Sequence, residues 1–168
     1  MPTLAAVLAA EIENEGKTTR RVLERVPEGR NDWRPHPRSM SLGELASHIA
    51  ALPGVFSRLA TQPSFDVATA NFRPVPAESR AALLATHDDS IASAIRFLGE
   101  LSDADAMAPF RMHRGEQEIF TLPRLGLMRV LACNHVYHHR GQLSVYLRLL
   151  DVPLPSIYGP SADENPFA

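Results

Sequence analysis

The segment Met40-Ser-Leu-Gly-Glu-Leu-Ala-Ser-His48-Ile-Ala-Ala-Leu-Pro53-Gly-Val-Phe56-Ser-Arg-Leu59 decides the fold class. Ser41 is placed to cap a first turn, and Glu44 three residues on completes a capping box, with Met40 and Leu45 set as a hydrophobic staple. Leu42, Leu45, Ile49, Leu52, Phe56 and Leu59 then recur in steps of three and four. That is the seam of a helix packed along its neighbours in a bundle. Pro53 removes one backbone hydrogen bond inside this helix, and Pro63 ends it.

Outward from this helix, three more segments carry the same period. The first spans about Leu4 to Val26, with Glu11, Glu15 and Thr19 interrupting its apolar row. The third begins near Pro76 and ends around Ser102, placing Leu84, His87 or Asp88, Ile91, Ile95 and Leu98 on one face. The fourth runs from Thr121–Pro123 to about Leu150, with Met128, Leu131, His135, His139, Gln142, Tyr146 and Leu149 in its row. About 13 residues bearing three prolines separate the second and third segments, enough for a crossover that leaves those helices parallel. The expected fold is therefore all-α, an up-down-down-up four-helix bundle in one domain over residues 1–168. Weak alternation around Arg114-Gly115 adds a small hairpin before the last helix as an option.

The chain has 168 residues, 45% hydrophobic and 21% charged, which suits a globular domain whose core needs no disulfide or structural metal. Seventeen Lys and Arg against nineteen Asp and Glu leave a formal charge of −2 with no basic block, so neither nucleic acid nor an anionic membrane is an expected partner. A single cysteine, Cys133, excludes an intramolecular disulfide and a multi-cysteine metal site. No stretch reads as a signal peptide or a membrane span, and the expected location is the cytoplasm.

Histidine carries the chemistry. His135 and His139 stand four apart, so on a helix both project from one face, close enough to share a divalent ion. Two hydrogen-bonded core histidines would have the same spacing. His48 flanks the seam of the second helix and aims a third imidazole at the same interior. Three nitrogen ligands with no fourth protein group describe an open coordination sphere of the catalytic kind, suited to Zn, Ni, Cu or Fe rather than Mg or Ca. Gln142, one turn beyond His139, is a candidate to orient a ligand imidazole or to bond between helices. Glu11 and Glu15 are candidate bases or solvated side chains. Arg140 is expected to face helix ends or a dimer surface. Cys133 lies about 200° around the helix from His135, so it is not expected to share an ion with it.

Ser41-Leu-Gly-Glu-Leu-Ala-Ser-His48-Ile, then Asn134-His-Val-Tyr-His-His139-Arg-Gly-Gln142, then Pro155-Ser-Ile-Tyr158-Gly-Pro-Ser-Ala-Asp163-Glu164 together resemble the DinB/YfiT-like family of metal-dependent enzymes. The resemblance implies an up-down-down-up bundle, frequent homodimers, a damage-inducible bacterial setting, and a three-histidine zinc or nickel site. Carried onto this chain, it makes His48, His135 and His139 the metal ligands and leaves out His138; no catalytic residue is assigned. It also implies a small-molecule substrate, with water or a low-molecular-weight thiol activated for hydrolysis or S-transfer. The alternatives are a non-catalytic metal or small-molecule binder of a bacterial stress response, and an interaction protein with histidines in its core. The Pro-rich tail is expected to pack Ile157 and Tyr158 onto the bundle, with folding over the bundle to wall the site as the alternative.

Overall fold

The computed structural model describes residues 2–71 and 73–168. In chain order it contains α1 (Leu4–Leu23), α2 (Leu42–Leu59), β1 (Ser64–Asp66), a 3₁₀ turn (Val67–Thr69), α3 (Arg80–Glu100), the short α4 (Asp103–Met107), β2 (Pro109–Arg114) and β3 (Gln117–Pro123). A last rod then starts as α5 (Arg124–Leu127), winds as a π-helix over Met128–Asn134, and continues as α6 (His135–Leu149).

Each long helix begins where its chemistry permits. In α2, Ser41 N–H donates to Glu44 Oε2 at 2.8 Å and Glu44 N–H donates to Ser41 Oγ at 3.2 Å, the expected capping box. The third helix starts later than Pro76, because Ser79 takes the cap and accepts from Ala82 N–H at 3.1 Å. Pro53 cannot donate inside α2, and the opened turn is bonded from outside. Gly54 N–H donates to Ser90 Oγ at 2.7 Å, and that hydroxyl donates to Ala51 O at 3.2 Å. A Cβ on Gly54 would stand 3.0 Å from Ser90 Cα, so α2 and α3 meet backbone against backbone at this crossing.

Cross-contacts fix the helix directions. Gly54 meets Ser90 and Ser57 meets Ser93, so α2 and α3 run parallel. His87 Nε2–H donates to Gly16 O at 3.0 Å while Leu4 N–H reaches Asp103, so α1 runs antiparallel to α3. Met40 O receives Tyr146 OH while Phe56 lies beside His135, so α6 runs antiparallel to α2. Leu23, Leu45, Ile49, Leu98, Leu127 and Leu143 are among the side chains sealed at the centre.

The all-α expectation is overturned by a three-stranded mixed sheet of order β1-β2-β3. Strands β2 and β3 pair antiparallel around Gly115, whose φ of +56° suits the tight hairpin turn. Strand β1 joins β2 in parallel, with Ser64 opposite Arg111 and Asp66 opposite His113. Three residues following Pro63 carry no alternation to read, and their partner lies more than forty residues on, so periodicity could not reveal this strand. Phe110 and Met112 of β2 add their side chains to the core.

Candidate metal centre

His48 stands on α2, two turns past the capping box; His135 opens α6 immediately after the π-helical stretch; His139 follows one turn later. Their ring centroids lie 5.1 Å (His48–His135), 4.8 Å (His48–His139) and 4.6 Å (His135–His139) apart. One nitrogen from each ring falls within 4.8 Å of the others, and among the described residues this is the one group of three or more His, Cys, Asp or Glu drawn together that can hold a metal ion.

The donor set fits an ion. With metal–nitrogen bonds near 2.1 Å, nitrogens in a tetrahedral shell stand about 3.4 Å apart, so the rings need to draw in by about an ångström or a little more, within reach of side-chain rotation. His139 Nδ1–H donates to Gln142 Oε1 at 2.7 Å, which leaves its Nε2 lone pair free. His135 Nδ1 is sealed from solvent without a hydrogen-bond partner, an orphan of the kind that ligation satisfies. Burial, followed by the neighbouring imidazoles, lowers the pKa of His48 and of His135 to about 4. Burial lowers His139 as well, against the opposing bond to Gln142. The rings are therefore neutral at pH 7, as ligands must be.

Beside the histidines opens a cavity of about 690 Å³ between α2, α3, residues 67–71 and 73–77, and the hairpin. His48 and His135 form part of its wall, and Leu52, Val55, Phe56 and Met112 much of the rest. Leu131, which sequence periodicity put in the core row, lines it too.

The other candidates go elsewhere. His138 is exposed and stacks edge-on against His139 at 4.9 Å, outside the cluster. Burial, foremost, raises the Cys133 thiol to about 11, which makes it inert. His87 turns toward α1, and Asp88 pairs with Arg20 at 3.0 Å. Glu11 accepts from Tyr137 OH at 2.8 Å and pairs with Arg129. Glu15 pairs with Arg140 at 2.8 Å. Both carboxylates are thus partly exposed, ion-paired and outside the histidine cluster.

Arg140, expected at helix ends or a dimer surface, is only 1% exposed. Its guanidinium lies between the rings of Tyr137 and Tyr158, 5.3 and 5.0 Å from their centroids, and donates to Thr19 Oγ1 at 3.1 Å. The two glutamates breaking the core row of α1 were the available signal, since carboxylates on a buried face require partners. Tyr158 OH accepts from Arg140 and donates to Glu15 at 2.9 Å. Together with the Arg148–Asp163 and Arg21–Glu164 pairs, it ties the tail to α1 and α6. The tail thus packs on the bundle through Ile157 and Tyr158, and none of its residues lines the cavity.

Among the described residues no helix is long and apolar enough to cross a membrane. No curated protein matches the chain. A DinB-like protein of Bacillus cereus ATCC 10987 is similar in structure, with a TM-score of 0.66 and 21% identity over 89% of this chain and 94% of that one. A DinB-like protein of Bacillus subtilis gives 0.65 and 17% over 94% and 98%. These likenesses concern the fold. The family model of the DinB superfamily matches residues 11–143, a span that contains all three clustered histidines, and the chain belongs to the DinB superfamily.

Proposed function

We propose that His48, His135 and His139 bind one divalent transition metal, zinc or nickel, and that the centre serves an enzyme acting on a small molecule held in the adjoining cavity. The observation that carries this reading is the convergence of three neutral imidazoles, one with an orphaned nitrogen and two of them on the wall of a largely apolar cavity. A bound ion would supply stabilisation of an oxygen or sulfur anion at neutral pH, which activates water or a low-molecular-weight thiol. The chain's own residues do the rest. Three protein ligands leave a position open to a small molecule. Gln142 fixes the His139 tautomer by accepting its Nδ1–H. Leu52, Val55 and Phe56 limit water around the reacting groups.

The test is metal content by mass spectrometry, followed by turnover of hydrolysable esters and of thiol–electrophile pairs with metal-loaded and metal-stripped protein. Wild type and His138→Ala are expected to hold one equivalent, and His135→Ala and His139→Ala to lose it. Equal content in all four proteins refutes the ligand assignment. Stoichiometric metal with no metal-dependent turnover refutes the enzymatic part and leaves a metal-binding protein.

A further inference from the structure

The walls of the large cavity differ in one respect from a merely greasy cleft: its charged side chains all have the same sign. Arg73 and Arg114 line it, and no Asp or Glu does. Arg73 is partly engaged, its guanidinium reaching Glu44 Oε1 at 3.3 Å from the outer side. Arg114 is different. Asp66, which is electrostatically coupled to it, accepts from Ala68 N–H at 2.9 Å and Gly115 N–H at 3.2 Å and makes no direct ion pair with it. Arg114 ends β2 at the hairpin turn, exposed and on the cavity's lining. The rest of the lining is mainly hydrocarbon, and Val75 and Ile119, 82% and 49% exposed, carry the apolar surface out to the rim.

A cavity of this size is in the usual range for small-molecule sites, where apolar walls supply affinity and a few polar groups fix orientation. A neutral apolar ligand would leave Arg114 unused, and a cation would meet two like charges. We propose that the cavity takes an amphiphilic anion, an alkyl or aryl carboxylate. Its apolar body lies along Leu52, Val55, Phe56 and Met112, and its carboxylate is received by Arg114. That such a molecule is a substrate rests on the metal-centre reading above; that it binds does not. The part of the ligand lying against His48 and His135 is then the part on which the centre acts.

Titration calorimetry with decanoate, decan-1-ol and decyltrimethylammonium, on metal-stripped and metal-loaded protein, tests this. Decanoate is expected to bind about tenfold more tightly than the alcohol, as a charge-assisted hydrogen bond implies, and the ammonium more weakly than either. A negative heat-capacity change is expected to accompany binding of the chain. Arg114→Gln, at an exposed position, is expected to abolish the acid preference while retaining alcohol binding, and Val55→Trp to weaken all three ligands. Equal affinity for acid and alcohol overturns the proposal, as does an acid preference that survives Arg114→Gln. Metal content of the same samples separates the two readings. Stoichiometric metal without acid preference sinks the ligand class alone, whereas acid preference in a protein that never holds metal supports the ligand class and sinks the metal centre.

Discussion

Replacing Glu15 by Gln is expected to cost more than removing the arginine it faces. The Arg140 side chain is 2% exposed against 22% for Glu15, so the two halves of the pair are unequally able to reach water. In Glu15→Gln the guanidinium stays buried with Thr19 Oγ1, the Tyr158 hydroxyl and two aromatic faces, but without a counter-charge. Breaking a buried pair in this way costs about 3 kcal/mol, the lower end of the usual range, because those hydrogen bonds persist. At roughly 2–4 °C per kcal/mol for a chain of this size, the melting temperature falls by about 6–12 °C. Arg140→Met removes the buried charge itself and keeps the volume. Glu15 can then hydrate and still accepts from Tyr158, so the cost is about 1 kcal/mol. The double variant is expected to be more stable than Glu15→Gln alone. Urea unfolding followed by circular dichroism reads all three as shifts in midpoint at constant slope. A Glu15→Gln loss below about 1 kcal/mol, the value of an exposed pair, refutes the reasoning, as does Arg140→Met proving the worse of the two.

Ser90→Ala is expected to destabilise by about 1–2 kcal/mol, since Gly54 N–H beside Pro53 loses its buried acceptor; a change under 0.3 kcal/mol, roughly the noise of such measurements, shows that the opened turn needs no outside bond. Gln142→Leu is expected to weaken metal binding about tenfold or more with little change in unfolding midpoint of the metal-free protein, measured by competition with a chelating dye; unchanged affinity removes the positioning role. The pH dependence has a definite sign. Burial first, then neighbouring imidazoles, hold His48 and His135 at about 4, below the ordinary 6.5, so the folded state takes up fewer protons than the unfolded one between those values. Stability of the metal-free protein is therefore full above about 6.5 and declines as pH falls toward 4. For the same reason bound metal is expected to persist to about pH 5; release centred at 6.5, followed by dialysis and metal analysis, contradicts neutral buried rings.

The capping box and the seam of α2 were legible because they are local: Ser41, Glu44 and the 3–4 spacing act within one helix. His48, His135 and His139 were legible because an imidazole beside a core row needs a partner, whatever the fold. What sequence spacing misjudged was phase and pairing. The row drawn through Leu131, Gln142, Tyr146 and Leu149 took the wrong one of two adjacent positions at each turn, since steps of three and of four both fit a period of 3.6. The buried row runs through Ala132, Val136, His139, Leu143 and Leu147, leaving Leu149 58% exposed. In α3 the expected Leu84 and Ile95 pack at the edge of the core, while the fully buried row runs through Leu83, His87, Ser90, Ala94 and Leu98, with Ser90 at the close crossing with α2. Arg140 and β1 share another cause. Each is explained by a partner distant in sequence, Glu15 in one case and Arg111 in the other, and no local pattern announces it.

A coil whose bonds close five residues back takes up more chain per turn than the rod on either side of it, so Met128–Asn134 works as a vernier. Upstream, Leu125 and Leu127 take their angular setting from the hairpin and α4; downstream, the imidazoles take theirs from α2. A hairpin that gained or lost a residue over time would have its slack absorbed in the wide coil, and the rings of His135 and His139 would keep facing His48.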